Sequence, residues 1–154
     1  MAVKPIPENY RRLNPVLIIG GAQKAIEFYA EVFGAHERSR FPGPGNTVAH
    51  AELEIGDSIF MVEDESPMMG TKAPAVGGVE GSAFSIFIYV EDVDAVMAKA
   101  KKLGASIQRE AQDQFYGDRD GHFIDPFGHR WTVATHIEDV STDEVIQRMA
   151  KLYN

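Results

Sequence analysis

Two stretches of the chain repeat the same order of apolar and polar positions. Residues 14–35 and 85–105 each begin with a short apolar run, pass through a polar break and end in apolar residues at helical spacing. Apolar positions that recur every three and four residues are typical of an amphipathic helix. Gly34 and Gly104 follow the last helical positions, where a left-handed residue commonly ends a helix. The pattern therefore predicts a strand followed by a helix, twice.

The segments that follow each predicted helix also correspond. Residues 47–55, TVAHAELEI, alternate between apolar and polar side chains, which predicts a strand with one apolar and one polar face. Gly56-Asp57 then predicts a hairpin turn into the next strand. In the other half, the run 125–128, DPFG, is a type I turn signature between two strands. Each half is therefore interpreted as strand–helix–strand–strand–strand, an internal duplication.

The predicted fold class is α+β, with two βαβββ modules that form curved mixed β-sheets within a single domain spanning residues 1–154. A stretch rich in Gly and Pro lies between the modules and could act as a mobile lid. Ser141 and Glu144 form a capping box at the start of a final helix. The predicted parts are module one at about 13–64, the linker or lid at 65–83, module two at about 84–139 and the C-terminal helix at 141–153.

Composition narrows the possible classes of protein. The formal net charge of −8 argues against a general nucleic-acid binder, which needs a positive surface. No apolar run is long enough to span a bilayer, so no membrane partner is expected. The start, MAVKPIPENYRR, has no apolar core of the kind found in secretory signals, which favours a cytoplasmic protein. Cysteine is absent, which excludes disulfides, thiolate metal ligands and a cysteine nucleophile.

Two groups of polar residues are candidates for ligand contacts. His50 and Glu52 lie two positions apart on the polar face of their strand and therefore point the same way. Asp118 and His122 share one face of a strand in the second half, and Arg130 lies on the strand after the turn. Such a set could orient a ligand or act as general acid and base. A solvent-facing polar strand is the alternative explanation for the His50–Glu52 pair.

Taken together, four segments resemble the vicinal oxygen chelate superfamily, which includes glyoxalase I, the fosfomycin- and bleomycin-resistance proteins and the extradiol dioxygenases. The segments are AIEFYAEVFGA, HAELEIGDSIFMVEDE, YVEDVDAVMAKAKKLGA and YGDRDGHFIDPFGHRWTVATHIEDVS. The chain looks most similar to the PhnB-like branch. The resemblance implies that each module curls into a cup and that paired modules close a cavity. It also points to a homodimer, since a second copy can cover exposed sheet edges.

Metal-using members of that superfamily place four ligands on the first and fourth strands of the two modules. In this chain those positions fall at Asn14, at Phe60 or Met61, at Ser85 and at Thr132. Amide, thioether and hydroxyl groups bind divalent metals poorly compared with imidazole and carboxylate. We therefore expect no four-ligand metal centre and no cofactor.

The same resemblance places Phe87 and Tyr89 on the cavity side of their strand, where aromatic walls with a few polar groups would suit a small-molecule pocket. An ordinary core or rim position is the alternative for both. Arg130 would be a lone cation in a cup of an acidic protein, which favours an anionic or carbonyl-bearing ligand.

Two functional hypotheses follow, and the sequence does not assign catalytic residues or identify the ligand. The first is a small-molecule-binding protein of the glyoxalase/bleomycin-resistance type. The second is a lyase, isomerase or dioxygenase that uses a displaced metal or an acid/base site around His50, Glu52 and His122. The predicted ligand-binding residues are His50, Glu52, Phe87, Tyr89, His122 and Arg130.

Overall fold

The computed structural model describes residues 4–77 and 83–152, and the chain divides into two compact units, Met1–Gly78 and Val79–Asn154. The first unit contains β1 Val16–Ile19, α1 Ala22–Phe33, β2 His36–Pro42, β3 Val48–Ile55 and β4 Ser58–Asp64, followed by a short 3-10 turn at Pro67–Met69. The second contains β5 Ser85–Tyr89, α2 Val93–Lys102, β6 Ser106–Asp113, β7 Asp118–Ile124, β8 Arg130–His136 and α3 Thr142–Leu152.

Both units have the same sheet topology. The strand orders are β1-β4-β3-β2 and β5-β8-β7-β6. In each sheet the first strand pairs in parallel with the last, and the other neighbours are antiparallel. The predicted α+β fold of two βαβββ modules with mixed sheets is therefore confirmed.

In the first unit, α1 covers one face of the sheet. Its apolar stripe packs on residues that alternate along the strands, among them Leu17, Leu53 and Val62, all of which are buried. No side chain of the helix caps its own N-terminus. Instead, Asp64 of β4 accepts hydrogen bonds from the backbone N–H groups of Gly21 and Ala22 at 3.0 and 2.9 Å. The last strand of the module thus fixes where the helix begins.

The second unit repeats this arrangement with different residues. Trp131, Val133 and Phe123 are buried on the face that α2 covers. The N-cap of α2 is Asp92, whose carboxylate accepts from the N–H of Ala95 at 3.0 Å. Each module therefore presents one buried face to its helix and leaves the opposite face of its sheet for other contacts.

The residues DPFG, at positions 125–128, form the turn between β7 and β8, as predicted. Asp125 is buried, and its carboxylate accepts from the backbone N–H groups of Phe127 and His129 and from the Trp131 indole at 2.9–3.0 Å. The aspartate is therefore structural: it closes the turn and satisfies the indole N–H in the core.

The predicted lid and the predicted C-terminal helix are each described only in part. One half of the predicted capping box is found, since Ser141 accepts from the N–H of Glu144 at 3.3 Å, whereas the Glu144 carboxylate accepts from Arg148 at 2.8 Å. The predicted lid includes residues 78–82, and the predicted final helix includes residue 153, which lie outside the described residues. Within residues 4–77 and 83–152, none of the helices has the length and apolar character needed to cross a membrane.

Candidate functional site

The second sheet has a face opposite α2, which we call the distal face of the second sheet. Strand register places side chains from three strands there, because residues paired across neighbouring strands point to the same side. His122 pairs with Thr132, and Thr132 pairs with Phe87. The residues on this face are Ser85, Phe87, Tyr89, Asp118, Asp120, His122, Arg130 and Thr132. All four candidate ligand residues of the second half therefore share one face.

His122 lies between two arginines on this face. Arg109, its partner across the β6–β7 ladder, places Nη2 3.0 Å from His122 Nε2. Partial burial lowers the pKa of His122, and the positive charges of Arg109 and Arg130 lower it further, against the opposing effect of Asp120. The imidazole is therefore held in its neutral form.

Asp120 is the buried anion that balances Arg109. The residue is 1% exposed, and its carboxylate accepts from Arg109, from Gln114 Nε2 at 2.9 Å and from the Tyr116 hydroxyl at 2.5 Å. Burial alone would raise the pKa of Asp120, but the hydrogen bonds from Tyr116 and Arg109 outweigh it and lower the pKa. Burial and the bond to Asp120 raise the pKa of Tyr116. Asp120 therefore stays ionised and Tyr116 stays protonated.

Asp118 is itself buried and forms a second hydrogen-bond network on the same face. It accepts from the Tyr89 hydroxyl at 2.8 Å, and His136 Nδ1 lies 2.8 Å from its other oxygen. The bond to Asp118 raises the pKa of Tyr89. Tyr89 is thus oriented by Asp118, which leaves the flat side of its ring for contact.

The His136–Asp118 contact predicts a dependence of stability on pH. Hydrogen bonds to Asp118 and Asp139 raise the pKa of His136 in the folded protein. The stabilisation is therefore complete below the unfolded pKa of about 6.5 and is lost as pH rises through the folded value. We expect His136→Gln to lower the melting temperature more at about pH 5.5 than above about pH 8. Thermal unfolding of both proteins across this range tests it.

His36→Gln is the matched control for that measurement, because His36 is exposed at the start of β2. Its effect should not change in the same way across the range. An equal loss of stability at both pH values in His136→Gln would contradict the assigned ion pair.

Arg130 differs from the other arginines of the second unit. Arg109, Arg119 and Arg148 each have a carboxylate within 4.0 Å. Arg130 is only partly exposed and has no ion-pair partner among the described residues. Near it on β5, the rings of Phe87 and Tyr89 contact edge to face at 5.1 Å and are 50% and 60% exposed. Arg130 pairs with Ser85, two residues before Phe87 on β5, so an uncompensated cation and an exposed aromatic pair lie on the same face of the sheet.

The first sheet also has a face opposite α1, its distal face, and His50 and Glu52 lie on it. His50 Nδ1 is 2.8 Å from a carboxylate oxygen of Glu63 on β4, and Nε2 is 3.8 Å from Glu52 Oε1. Phe41 stacks on the imidazole with ring centroids 5.9 Å apart. The predicted pair is thus brought together, with Glu63 as an additional partner that periodicity alone did not indicate.

Glu52 is buried, and its carboxylate already has partners within the protein. It accepts from the Tyr10 hydroxyl, and an Arg38 nitrogen lies 4.0 Å away. The Arg38 guanidinium also lies over the Tyr10 ring at 5.2 Å. Glu52 and His122 occupy equivalent positions in the two modules, since one pairs with Met61 and the other with Thr132. The N-terminal segment that supplies Tyr10 gave no signal of this contact in the sequence.

The positions that the resemblance assigns to metal ligands do not fit a metal. Met61 lies on the distal face, whereas Phe60 turns toward α1 and contacts Tyr29 at 5.5 Å, so Met61 holds the position and the Phe60 alternative is wrong. Ser85 Oγ and Thr132 Oγ1 are 3.5 Å apart and bond to each other. A thioether and two hydroxyls are weak donors for divalent cations.

Asn14, the remaining position, precedes β1 and donates to the backbone oxygen of Arg11 at 2.6 Å. Across residues 4–77 and 83–152, no three His, Asp or Glu side chains are grouped so that they could hold a metal ion. The donor set therefore gives no support to a four-ligand centre or to a displaced one.

This chain has two βαβββ modules, and the distal faces of their sheets carry polar and aromatic residues. These features together indicate the class of protein to which it belongs. The model of the Glyoxalase/Bleomycin resistance protein/Dioxygenase superfamily matches residues 12–133. The chain belongs to this superfamily.

Relatives and solved structures support this assignment. The chain is 37% identical over 139 residues to the uncharacterized protein Mb0911c of Mycobacterium bovis, covering 90% of this chain and 91% of that protein. It is 30% identical over 138 residues to the uncharacterized protein At5g48480 of Arabidopsis thaliana, covering 83% and 81%. The X-ray structure of At5g48480 superposes with a TM-score of 0.61 over 81% of this chain and 98% of that one.

A PhnB protein from Bacillus cereus, described as a putative 3-demethylubiquinone-9 3-methyltransferase, has the same fold. Its structure covers 81% of this chain and 99% of that one with a TM-score of 0.61. At 22% identity, this likeness shows the fold alone. Membership of the PhnB-like branch remains a prediction.

Proposed function

We propose that the protein binds a small anionic molecule on the distal face of the second sheet, without a four-ligand metal centre. The observation that carries this proposal is Arg130, a partly buried arginine with no ion-pair partner among the described residues. A partly buried charge is costly when it is unpaired, and a ligand oxyanion would supply the missing partner. The overall charge of −8 makes such a cation unusual in this chain.

The aromatic pair supports an apolar part in the same ligand. Phe87 and Tyr89 expose about half of their surface and contact each other, so a third ring can pack against them. Such an aromatic contact contributes about 0.5–1.5 kcal/mol beyond the area it buries. The substrate class that fits both features is an anion attached to an aromatic or other apolar group.

Benzoate and benzamide provide a matched pair of probes, because they share the ring and differ in charge. We expect millimolar benzoate to shift the backbone amide resonances of Phe87, Tyr89 and Arg130, and benzamide to shift them less. Arg130→Gln should weaken benzoate binding about tenfold, the effect of losing one charge-assisted hydrogen bond of about 1.4 kcal/mol, and leave benzamide unchanged.

Arg119→Gln is the control variant, since Arg119 lies on the same strand as His122 but pairs with Asp94 and Asp113. It should bind benzoate as the unchanged protein does. If benzoate leaves the resonances of residues 85–89 unperturbed, or binds Arg130→Gln with undiminished affinity, the proposed site is wrong.

A second candidate function is proton-transfer catalysis, as in a lyase or isomerase, on the distal face of the first sheet. The observation in its favour is the His50–Glu63 contact of 2.8 Å, which orients the imidazole as a carboxylate partner does for a general base. A dioxygenase would require a bound metal, for which His50 is the imidazole donor on this face. Elemental analysis of dialysed protein and of His50→Gln tests that version: stoichiometric metal that is lost in the variant would favour the enzyme.

We further propose that the protein acts as a cytoplasmic homodimer in which residues 65–83 link the modules and cover bound ligand. Met68 and Met69, both exposed in this segment, would supply adaptable apolar contacts. Light scattering should give twice the 17.0 kDa mass of the chain at micromolar concentration. A monomer mass would contradict the dimer.

A further inference from the structure

We propose that Arg109 fixes His122 as a neutral hydrogen-bond donor, so that Arg109, His122 and Arg130 together form a binding site for an oxyanion. This inference rests on the proposed function, because it specifies how the anionic end of the ligand is held. Neither Arg109 nor its role was indicated by the sequence, and the three residues come from three neighbouring strands, β6, β7 and β8.

The contact between Arg109 and His122 determines where the imidazole proton lies. A guanidinium has only donors, so the 3.0 Å contact from Arg109 Nη2 requires His122 Nε2 to accept. The single proton of the neutral ring must then reside on Nδ1. The lowered pKa of His122 agrees with a neutral ring. No partner of His122 Nδ1 is found among the described residues, which leaves this N–H available to a ligand.

Arg109 has a second unused donor. Its Nη2 is shared between Asp120 and His122, while Nη1 is buried and has no hydrogen-bond partner among the described residues. Buried donors are nearly always paired, so an unpaired one at a candidate site indicates a missing acceptor. Arg130 on the other side of His122 is also without an ion pair in the described chain.

The charges of the residues around His122 determine which class of ligand the site can bind. Asp120 neutralises Arg109, and Asp118 is occupied by Tyr89 and His136. The donors around His122 therefore carry one uncompensated positive charge, that of Arg130, and offer only N–H groups. A carboxylate or phosphate oxygen can accept from all of them, whereas a cation or a group that only donates cannot. The site thus favours a carboxylate- or phosphate-bearing molecule.

The first test is the position of the His122 proton, read from nitrogen-15 correlation spectra of the imidazole at about pH 7.5, above the ordinary histidine pKa. We expect the proton on Nδ1. Arg109→Met, which removes the donor, should move the proton toward Nε2. Arg109→Lys keeps a cation beside Asp120 and is the variant to use if Arg109→Met does not fold. A proton on Nε2 in the unchanged protein, or a proton that stays on Nδ1 in folded Arg109→Met, would overturn the role of Arg109.

The second test is titration with inorganic phosphate and acetate, which carry the oxyanion without an apolar group, followed by the chemical shifts of Arg109, His122 and Arg130. We expect His122→Phe to weaken binding of both probes about tenfold, and His122→Asn, which retains a donor near the Nδ1 position, to recover part of it. Arg119→Gln should have no effect.

These outcomes separate the two proposals. If benzoate binding depends on Arg130 but neither phosphate nor acetate binding responds to His122→Phe, the three-donor site is wrong and the proposed function stands. Phosphate binding that depends on His122, without any benzoate contact at Phe87, would support the oxyanion site and refute the aromatic part of the proposed function. A preference for phosphate over acetate, or the reverse, identifies which oxyanion the site takes.

Discussion

Replacing Asp120 with alanine is expected to lower the free energy of unfolding by about 3–5 kcal/mol, the cost of removing one partner from a buried ion pair. Asp120 is 1% exposed and accepts hydrogen bonds from Arg109, Gln114 and Tyr116. Its loss leaves the Arg109 charge and the Tyr116 hydroxyl unpaired within the sheet. Urea unfolding followed by circular dichroism measures the change.

Asp113→Ala is the matched control for this substitution. Asp113 also pairs with an arginine of the second sheet, Arg119, but the contact is exposed and Arg119 keeps a second partner in Asp94. Little loss of stability is therefore expected. Asp120→Asn keeps the shape of the side chain and one acceptor, so its loss of unfolding free energy should lie between those of Asp120→Ala and Asp113→Ala. A loss below about 1 kcal/mol in Asp120→Ala would mean that Arg109 and Tyr116 turn to solvent instead.

Gly117→Ala is expected to cost about 2–4 kcal/mol of unfolding free energy, by combining backbone strain with overpacking. Gly117 has φ +101°, and an added Cβ would lie 2.1 Å from the backbone oxygen of Glu138. That backbone cannot easily retreat, because the N–H groups of Ile137 and Glu138 both donate to the Gly117 oxygen at 2.9 Å. Thermal and urea unfolding of the variant measure the cost.

Gly56→Ala separates the cost of backbone strain from the cost of overpacking. Gly56 also has a positive φ, +57°, but an added Cβ would meet nothing within 4 Å. Its substitution should therefore cost only about 1 kcal/mol from backbone conformation. If Gly117→Ala is no more destabilising than Gly56→Ala, the chain after β8 moves to make room, and the close approach to Glu138 does not constrain the fold.

Local pattern was sufficient to predict the fold. Alternation in β3 and β7, helical spacing in α1 and α2, and the DPFG turn each depend on neighbouring residues only, so a single sequence contains the information. Alternation paired Phe87 with Tyr89 and Asp118 with His122 within their strands, the resemblance assigned Phe87 and Tyr89 to the cavity side, and the strand register shows that Arg130 lies on the same face. The hairpin between β3 and β4 left the register of β4 uncertain by one residue, and the structure decides it in favour of Met61.

The partners of the candidate residues could not be predicted in this way. The pairing of β6 with β7 shifts register around Arg109, so alternation along β6 does not place Arg109 next to His122. Tyr10 reaches Glu52 across 42 positions of sequence, from a segment with no periodic pattern. Contacts of this kind depend on the path of the chain in space.

The sequence by itself determined the βαβββ modules, the alternation of faces along their strands and the poor metal-binding chemistry at Asn14, at Phe60 or Met61, at Ser85 and at Thr132, because these depend on residue type and short-range spacing. Only the tertiary structure decided which charges are compensated. It paired Arg109 with Asp120 and left Arg130 without a carboxylate among the described residues. Charge compensation is set by distances of a few ångströms between strands, and sequence spacing does not specify those distances.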